Sequence, residues 1–280
     1  MFTVLILAML TAGPAESVTV APGEELTVVA EGTGPTVVLV PGLSGCAYSF
    51  RKITPVLVAD GHRVVVVEPL GVGSSGRPKG ADYTLTAQAD RLATVIENLD
   101  DGPILVVAHG VAGSMALRLA YRRPDLVAGL VTIEGGPVES ALTPAVYKSL
   151  SLAKVVGKLG GGRAIRDRFG AGLEASSGDP SWLDKRTLRR YYAGFGRDVQ
   201  AALDALIAMS EARESEFLQP NLHRIACPVI MLLGAAEHRG APSSADIELL
   251  AARIPDFATR TVAGAGHYIF EEDPPAVVAA

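Results

Sequence analysis

The sequence predicts an α/β fold: a doubly wound domain on a mostly parallel β-sheet. Two observations lead to this prediction. Short runs rich in β-branched residues recur along the chain, and amphipathic helical patterns separate them. Several of these runs are continuously apolar rather than alternating, as is typical of strands that are covered on both faces. With 280 residues, 49% of them hydrophobic, the chain can build one large domain of this class.

Seven runs are predicted as strands, and two segments carry clear helical periodicity. Residues 85–100 place Leu85, Ala89 and Leu92 on one side of a helix, with Thr84 as its N-cap. A second apolar face runs through residues 112–120. The predicted strands are residues 26–32, 36–40, 62–68, 103–109, 127–134, 228–234 and 258–264.

The alternation of strands and helices stops between about residues 140 and 223. This stretch has several helical patterns, and none of its runs convincingly predicts a strand. We interpret it as a helical insertion between two strands of the sheet. The predicted organisation is therefore a core of residues 18–139 and 224–280, with residues 140–223 inserted as a helical unit.

Residues 1–17 form the remaining segment and leave two interpretations open. An apolar run is followed by small residues, as at the end of a secretory signal peptide, but the basic leader of such a signal is missing. The segment is thus either a truncated signal or flexible N-terminus, or else a buried first strand. The first interpretation implies a secreted or periplasmic protein and the second a cytoplasmic one. The run is too short to span a bilayer, so we expect no membrane span.

Composition and charge argue against a nucleic-acid partner. The net charge is −5, and only 5% of residues are aromatic. A nucleic-acid-binding protein usually has a basic balance and aromatic stacking platforms, so no nucleic-acid partner is expected. Cys46 and Cys227 lack metal-ligand spacing, and we interpret them as small buried residues, although a disulfide between them stays open. We expect no metal and no cofactor, and the oligomeric state is open.

Five segments in order resemble motifs of the α/β-hydrolase superfamily. Three depart from the family pattern: Pro41 replaces a histidine in the first, Glu68 replaces an aspartate in the second, and Gly110 replaces the nucleophile in the third. The third is similar to the family's nucleophile elbow, the fourth to its seventh strand and acidic loop, and the fifth to its catalytic-histidine loop. The segments are VVLVPGLSG, RVVVVEPLGVGSSGRP, AHGVAGSMALRLA, PVIMLLGAAEH and VAGAGHYIFEEDPPAVV.

The resemblance implies an α/β-hydrolase sheet with a helical cap inserted after the sixth strand. It also implies an esterase-like, epoxide hydrolase-like or haloalkane dehalogenase-like activity on a small organic substrate. The nucleophile position aligns with Gly110, which has no side chain to form a covalent intermediate. The general base aligns with His267. Ser44 and Ser114 are nearby hydroxyls, but we favour structural roles for both.

The remaining site residues implied by the resemblance are an acid and two backbone donors. The acid that orients His267 is either Glu237, after the seventh strand, or Glu134, after the sixth. We favour Glu237, because its position is the more general one in the family. The amides of Leu43 and Val111 align with the oxyanion hole, which needs no side chain.

Three hypotheses about function follow. The first is a hydrolase-like protein that acts through a His–Glu dyad and a backbone oxyanion hole without the usual serine or aspartate. The second is a non-catalytic protein of the same fold that binds a small ligand. The third is an ordinary hydrolase whose serine was replaced.

Overall fold

The computed structural model describes residues 13–158, 161–195 and 198–280, and eight strands of these residues form one sheet. The order of strands across the sheet is β1-β2-β4-β3-β5-β6-β7-β8. β1 and β2 run antiparallel to their neighbours, and the other pairs are parallel. The strands are β1 (Ala15–Ala21), β2 (Glu24–Glu31), β3 (Thr36–Val40), β4 (Arg63–Glu68), β5 (Ile104–His109), β6 (Val127–Ile133), β7 (Val229–Gly234) and β8 (Phe257–Val262).

Ten α-helices connect these strands and cover the sheet within the described residues. Four of them, α4 to α7, lie between β6 and β7, inside the segment predicted as a helical insertion. The helices are α1 (Thr54–Ala59), α2 (Leu85–Glu97), α3 (Ala112–Arg122), α4 (Pro144–Lys158), α5 (Gly162–Ala175), α6 (Lys185–Ala193), α7 (Val199–Glu211), α8 (Ser244–Arg253), α9 (Ile269–Glu272) and α10 (Pro274–Val278). The predicted α/β class with its mostly parallel sheet is confirmed.

The central strands are apolar throughout because both faces of the sheet are buried. Along β3, Val38 packs into the cluster shared with α2 and α3, whereas Val37 and Leu39 point to the opposite face. That opposite cluster contains Phe50 and Phe270. Successive side chains of a strand alternate between faces, so a strand covered on both sides must be apolar at every position.

The edge at β1 differs from the centre of the sheet. β1 begins at Ala15, inside the segment 1–17, and most of its residues are exposed or half-buried. Residues 1–12 of that segment lie outside the described residues, so its interpretation as a signal or flexible terminus stays a prediction. Within the described part of the chain, no helix is long and apolar enough to cross a membrane.

Candidate functional site

The predicted site residues lie in loops at one edge of the sheet. Leu43 follows β3, Gly110 follows β5, Glu134 follows β6 and His267 follows β8. These strands are parallel, so their carboxyl ends meet at the same edge, where α/β proteins bind their ligands. The sheet thus brings together residues that are more than 200 positions apart.

The turn between β5 and α3 is tight, and Gly110 lies at its tip. Its φ angle is +57°, in the left-handed region that glycine adopts without strain. Its N–H donates a hydrogen bond to the Ile133 carbonyl at 2.8 Å. A Cβ atom on Gly113 would lie 2.9 Å from Gly135 Cα, so a side chain at 113 would push the loop after β6 away. Glycines thus allow this turn and the loop after β6 to pack together.

His267 faces Gly110 from the loop after β8. A Cβ atom built on Gly110 would lie 3.4 Å from Nε2 of His267, an ordinary van der Waals contact. The His267 N–H donates to the Ser176 carbonyl at 2.8 Å, and its side chain is 17% exposed. The position predicted for a nucleophile therefore lies next to the residue predicted as a base.

His109 supports the His267 loop from below. Its Nε2 lies 3.0 Å from the His267 carbonyl oxygen, which can only accept a hydrogen bond, so this nitrogen carries the hydrogen. Complete burial is the main cause that holds the pKa of His109 well below its ordinary value, and the neighbouring His267 lowers this pKa further. His109 is therefore a neutral structural donor.

The carboxylate that the structure brings beside His267 is Glu134, and it does not bring Glu237, which we favoured, into contact with His267. Oε2 of Glu134 lies 3.7 Å from Nδ1 of His267. Glu237 is exposed, and within the described residues it forms no ion pair or hydrogen bond with His267. The loop after β7 turns the Glu237 side chain outward, whereas Glu134 is 3% exposed and points inward.

His238 is a residue of this cluster that sequence analysis missed. Its Nε2 lies 2.8 Å from Oε2 of Glu134, and its Nδ1 lies 2.7 Å from the Ala236 carbonyl oxygen. Its side chain is 1% exposed. The only signal in the sequence is its place next to Glu237 in the loop after β7. Glu134 thus faces two histidines.

The two nearby serines use their hydroxyl groups for structural contacts. Ser114 is fully buried; its Oγ donates to the Gly136 carbonyl and accepts from the Val138 N–H at 2.7 Å. It therefore joins α3 to the loop after β6. Ser44 Oγ lies 3.2 Å from the Tyr268 hydroxyl. These contacts agree with the structural roles that we favoured.

The two cysteines are free thiols. Burial raises the pKa of the Cys46 thiol to about 11, and it raises the pKa of the half-buried Cys227 thiol as well. The thiolate is the reactive form of cysteine, so neither residue is activated as a nucleophile. The structure also answers the open question of a disulfide, because Cys46 and Cys227 are not bonded to each other.

The backbone around Gly110 supplies hydrogen-bond donors. Val111 is the N-cap of α3, and the first amides of a helix have no acceptor within the helix. Leu43 is half-buried in the loop after β3 and lines a cleft of about 10 Å³. Tyr191 and Phe195, from the segment between β6 and β7, line the same cleft. The cleft lies between the loop after β3 and the inserted helices.

Known proteins are similar to this chain over the whole region that contains these site residues. The family model described as the alpha/beta hydrolase family matches residues 37–280. The magnesium-chelatase 30 kDa subunit of Rhodobacter capsulatus is 29% identical over 247 residues, covering 85% of this chain and 82% of that protein. The sn-1-specific diacylglycerol lipase ABHD11 of Mus musculus is 25% identical over 258 residues, covering 87% of this chain and 78% of the lipase.

A solved structure supports the fold independently. The crystal structure of Cfl2 from Burkholderia cenocepacia matches with a TM-score of 0.79 and 24% identity. The match covers 97% of this chain and 95% of Cfl2. At this level of identity the similarity concerns the fold alone, because one fold supports many activities.

Proposed function

The chain belongs to the alpha/beta hydrolase family, and we propose that it hydrolyses a small organic substrate through His267 and Glu134 without a serine or aspartate nucleophile. The observation that carries this proposal is the position of His267. Its Nε2 lies 3.4 Å from the place that a Cβ of residue 110 would take, and its Nδ1 faces Glu134. A base with a carboxylate behind it thus faces the tip of the turn.

The backbone of Glu134 supports its functional role. Its φ angle is +52°, and glutamate rarely adopts this left-handed conformation. Such conformations cost of order 1–3 kcal/mol each and cluster at functional sites. Here the conformation brings a nearly fully buried carboxylate to the back of His267. A negative charge in that place stabilises the imidazolium that forms when His267 accepts a proton.

In the proposed reaction His267 activates water. Nε2 removes a proton from water while the water oxygen bonds to the substrate carbonyl carbon, and the carbonyl oxygen becomes an oxyanion. The amides of Leu43 and Val111 donate hydrogen bonds to this oxyanion. The bond to the leaving group then breaks, and the imidazolium returns its proton to that group. No covalent bond to the protein is needed.

We further propose that residues 140–223 act as a cap over this site. The insertion contacts the His267 loop directly: the Ser176 carbonyl accepts from the His267 N–H. Asp179 and Gly178 donate backbone N–H groups to Glu272, which also accepts from Gly266. A substrate above Gly110 would therefore touch the inserted helices, whose side chains would set its size and shape.

The test is hydrolysis of a panel of p-nitrophenyl esters by the native chain and by His267→Ala. We expect the native chain to release p-nitrophenol, and the variant to be slower by about 10²–10⁴-fold, the usual contribution of a general base. A native rate that His267→Ala leaves unchanged contradicts the proposal.

Non-catalytic ligand binding is the second candidate. Gly110 favours it, because glycine has no side chain that could form an acyl-enzyme at this position. A cavity of about 220 Å³, lined by Arg77, Tyr83 and Asp204 among others, offers space for a small ligand away from His267. This candidate predicts that no ester is hydrolysed and that small ligands raise the melting temperature.

A further inference from the structure

We propose that Glu134, His238 and His267 form a binding site for a divalent transition metal ion such as Zn²⁺. One ligand atom from each residue lies within 4.8 Å of the other two. Zn²⁺ takes imidazole nitrogen and carboxylate oxygen as ligands, and sites with three protein ligands keep a fourth position for solvent. The residues come from the loops after β6, β7 and β8, so no metal-ligand spacing in the sequence predicts this site.

His238 is held in the orientation that a metal ligand requires. The carbonyl oxygen of Ala236, 2.7 Å from Nδ1, can only accept, so Nδ1 carries a hydrogen. A neutral imidazole then has its lone pair on Nε2, which faces Oε2 of Glu134. Metal-bound histidines almost always donate their other N–H to a carbonyl or carboxylate in this way.

The contact between His238 and Glu134 is close and shielded from solvent. Their side chains are each 1% exposed, and Nε2 of His238 lies 2.8 Å from Oε2 of Glu134. An imidazole nitrogen and a carboxylate oxygen that are adjacent in this way can both be ligands of one ion.

The third ligand atom has an unsatisfied hydrogen-bonding capacity. Nδ1 of His267 is buried and has no hydrogen-bond partner within the described residues. It lies 3.7 Å from the same Oε2 atom that His238 faces. Glu134 is oriented as well, because its Oε1 accepts from the Gly234 N–H at 2.6 Å and so leaves Oε2 free to face both rings. An ion among these atoms would bind the lone pair of Nδ1, and the ring hydrogen would then be on Nε2. The zinc-bound form is therefore an alternative to the form in which Nε2 of His267 acts as a base, and zinc should inhibit that reaction.

Access and size agree with a small ion. The His267 side chain is 17% exposed, whereas the other two are almost completely buried, so the ion enters from the side of His267. Zinc-to-ligand distances are about 2.0–2.2 Å. Nδ1 of His267, which lies 3.7 Å from Oε2 of Glu134, must therefore move closer to the other two ligand atoms when the ion binds, and a rotation of this half-buried ring can supply that movement.

The experiment is a titration of the purified full chain with ZnCl₂ against a coloured zinc chelator, in parallel for native protein, His238→Ala and His223→Ala. His223 is exposed on a 3₁₀ turn and serves as the matched control. We expect the native chain and His223→Ala to bind one Zn²⁺ per chain. His238→Ala should bind it at least about tenfold more weakly.

Two further measurements make the result decisive. Circular dichroism reports whether His238→Ala is folded; if it is not, His267→Gln, on the more exposed residue, replaces it in the same titration. Equal affinity of the native chain and the folded variant, or no zinc uptake by the native chain, overturns the proposal. The readout is zinc binding, so its outcome does not depend on whether the chain hydrolyses esters.

Discussion

Oε2 of Glu134 lies 3.7 Å from Nδ1 of His267, on the side of the ring opposite Gly110. This distance is too long for a hydrogen bond, and catalytic hydrogen bonds are often long in the absence of a substrate. The ring thus separates a buried carboxylate from the tip of the β5–α3 turn.

Glu134→Gln should slow ester hydrolysis, whereas Glu237→Gln should not. Glutamine keeps the shape of Glu134 but removes the charge that stabilises protonated His267, so we expect a loss of about 10²–10⁴-fold in kcat/KM. Glu237 is exposed and away from His267, so its replacement should change the rate by no more than about twofold. Initial rates with p-nitrophenyl acetate measure both effects.

The opposite result would favour Glu237, the acid preferred from the sequence, as the partner of His267. If Glu237→Gln is slow and Glu134→Gln retains the native rate, the loop after β7 must rearrange when a substrate binds. The two variants remove the same charge from the same residue type, so they control for the change in net charge.

Gly110→Ser should gain a nucleophile. A serine Cβ would lie 3.4 Å from Nε2 of His267, which places its hydroxyl within reach of the base. We expect a fluorophosphonate probe to label this variant at residue 110 and not to label the native chain. Labelling of Ser44 or Ser114 in the native chain would instead show that the protein already has a reactive hydroxyl.

The same substitution should reduce stability. Because φ of Gly110 is +57°, any L-residue there is strained, at a cost of about 1–2 kcal/mol. Gly110→Ala is the matched control: it should lose the same free energy of unfolding in urea and react with no probe. If Gly110→Ser is folded but the fluorophosphonate probe does not label residue 110, the assignment of His267 as a base is contradicted.

Much of the fold could be predicted because buried strands and helix faces appear as apolar patterns in the local sequence. β3 was predicted at its observed bounds, Thr36–Val40, since an apolar run covered on both faces is short and ends at a turn. The Thr84 N-cap of α2 was predicted as well, and its Oγ1 accepts from the Ala87 N–H at 3.1 Å. β1 was not among the seven predicted strands, because an exposed edge strand has no continuous apolar pattern.

The site was less predictable because it depends on contacts between distant loops. His267 and Gly110 were found through motifs, but the choice between Glu134 and Glu237 required the direction of each side chain. The left-handed φ of Glu134 decides that direction, and no motif encodes it. His238 contacts a residue 104 positions away, which local pattern cannot reveal.

The buried His109 should make stability fall in mild acid. Burial lowers its pKa in the folded state, whereas the unfolded residue titrates near pH 6.5. Below that pH the unfolded state binds a proton that the folded state does not, so stability decreases as the pH falls from 6.5 towards the folded pKa. For one such group the loss between pH 7 and pH 5.5 is about 1.3 kcal/mol.

Urea unfolding at the two pH values measures this loss. His109→Gln keeps a donor for the His267 carbonyl and should have a pH dependence smaller by that amount. His223→Gln, which removes an exposed histidine, should behave as the native chain does. Identical pH dependence in the native chain and His109→Gln would mean that His109 takes up its proton in the folded state as well.

Glu271→Ala should destabilise the protein strongly, because Glu271 joins α9 to two other parts of the fold. Its buried carboxylate accepts from the Tyr191 hydroxyl of α6 at 2.6 Å, pairs with Arg51, and lies 3.3 Å from Lys52 Nζ. Removing the carboxylate leaves a buried hydroxyl and a partly buried guanidinium without their acceptor. Breaking a buried pair from one side typically costs about 3–5 kcal/mol.

The free energy of unfolding in urea measures this cost, and Glu248→Ala is the control. Glu248 is exposed on α8, where a substitution should change stability by no more than about 0.5 kcal/mol. Because α9 directly follows the His267 loop, Glu271→Ala should also weaken ester hydrolysis at temperatures where the variant is still folded. A loss no larger than that of Glu248→Ala would mean that water replaces the carboxylate and that α6 is held to the sheet by apolar packing instead.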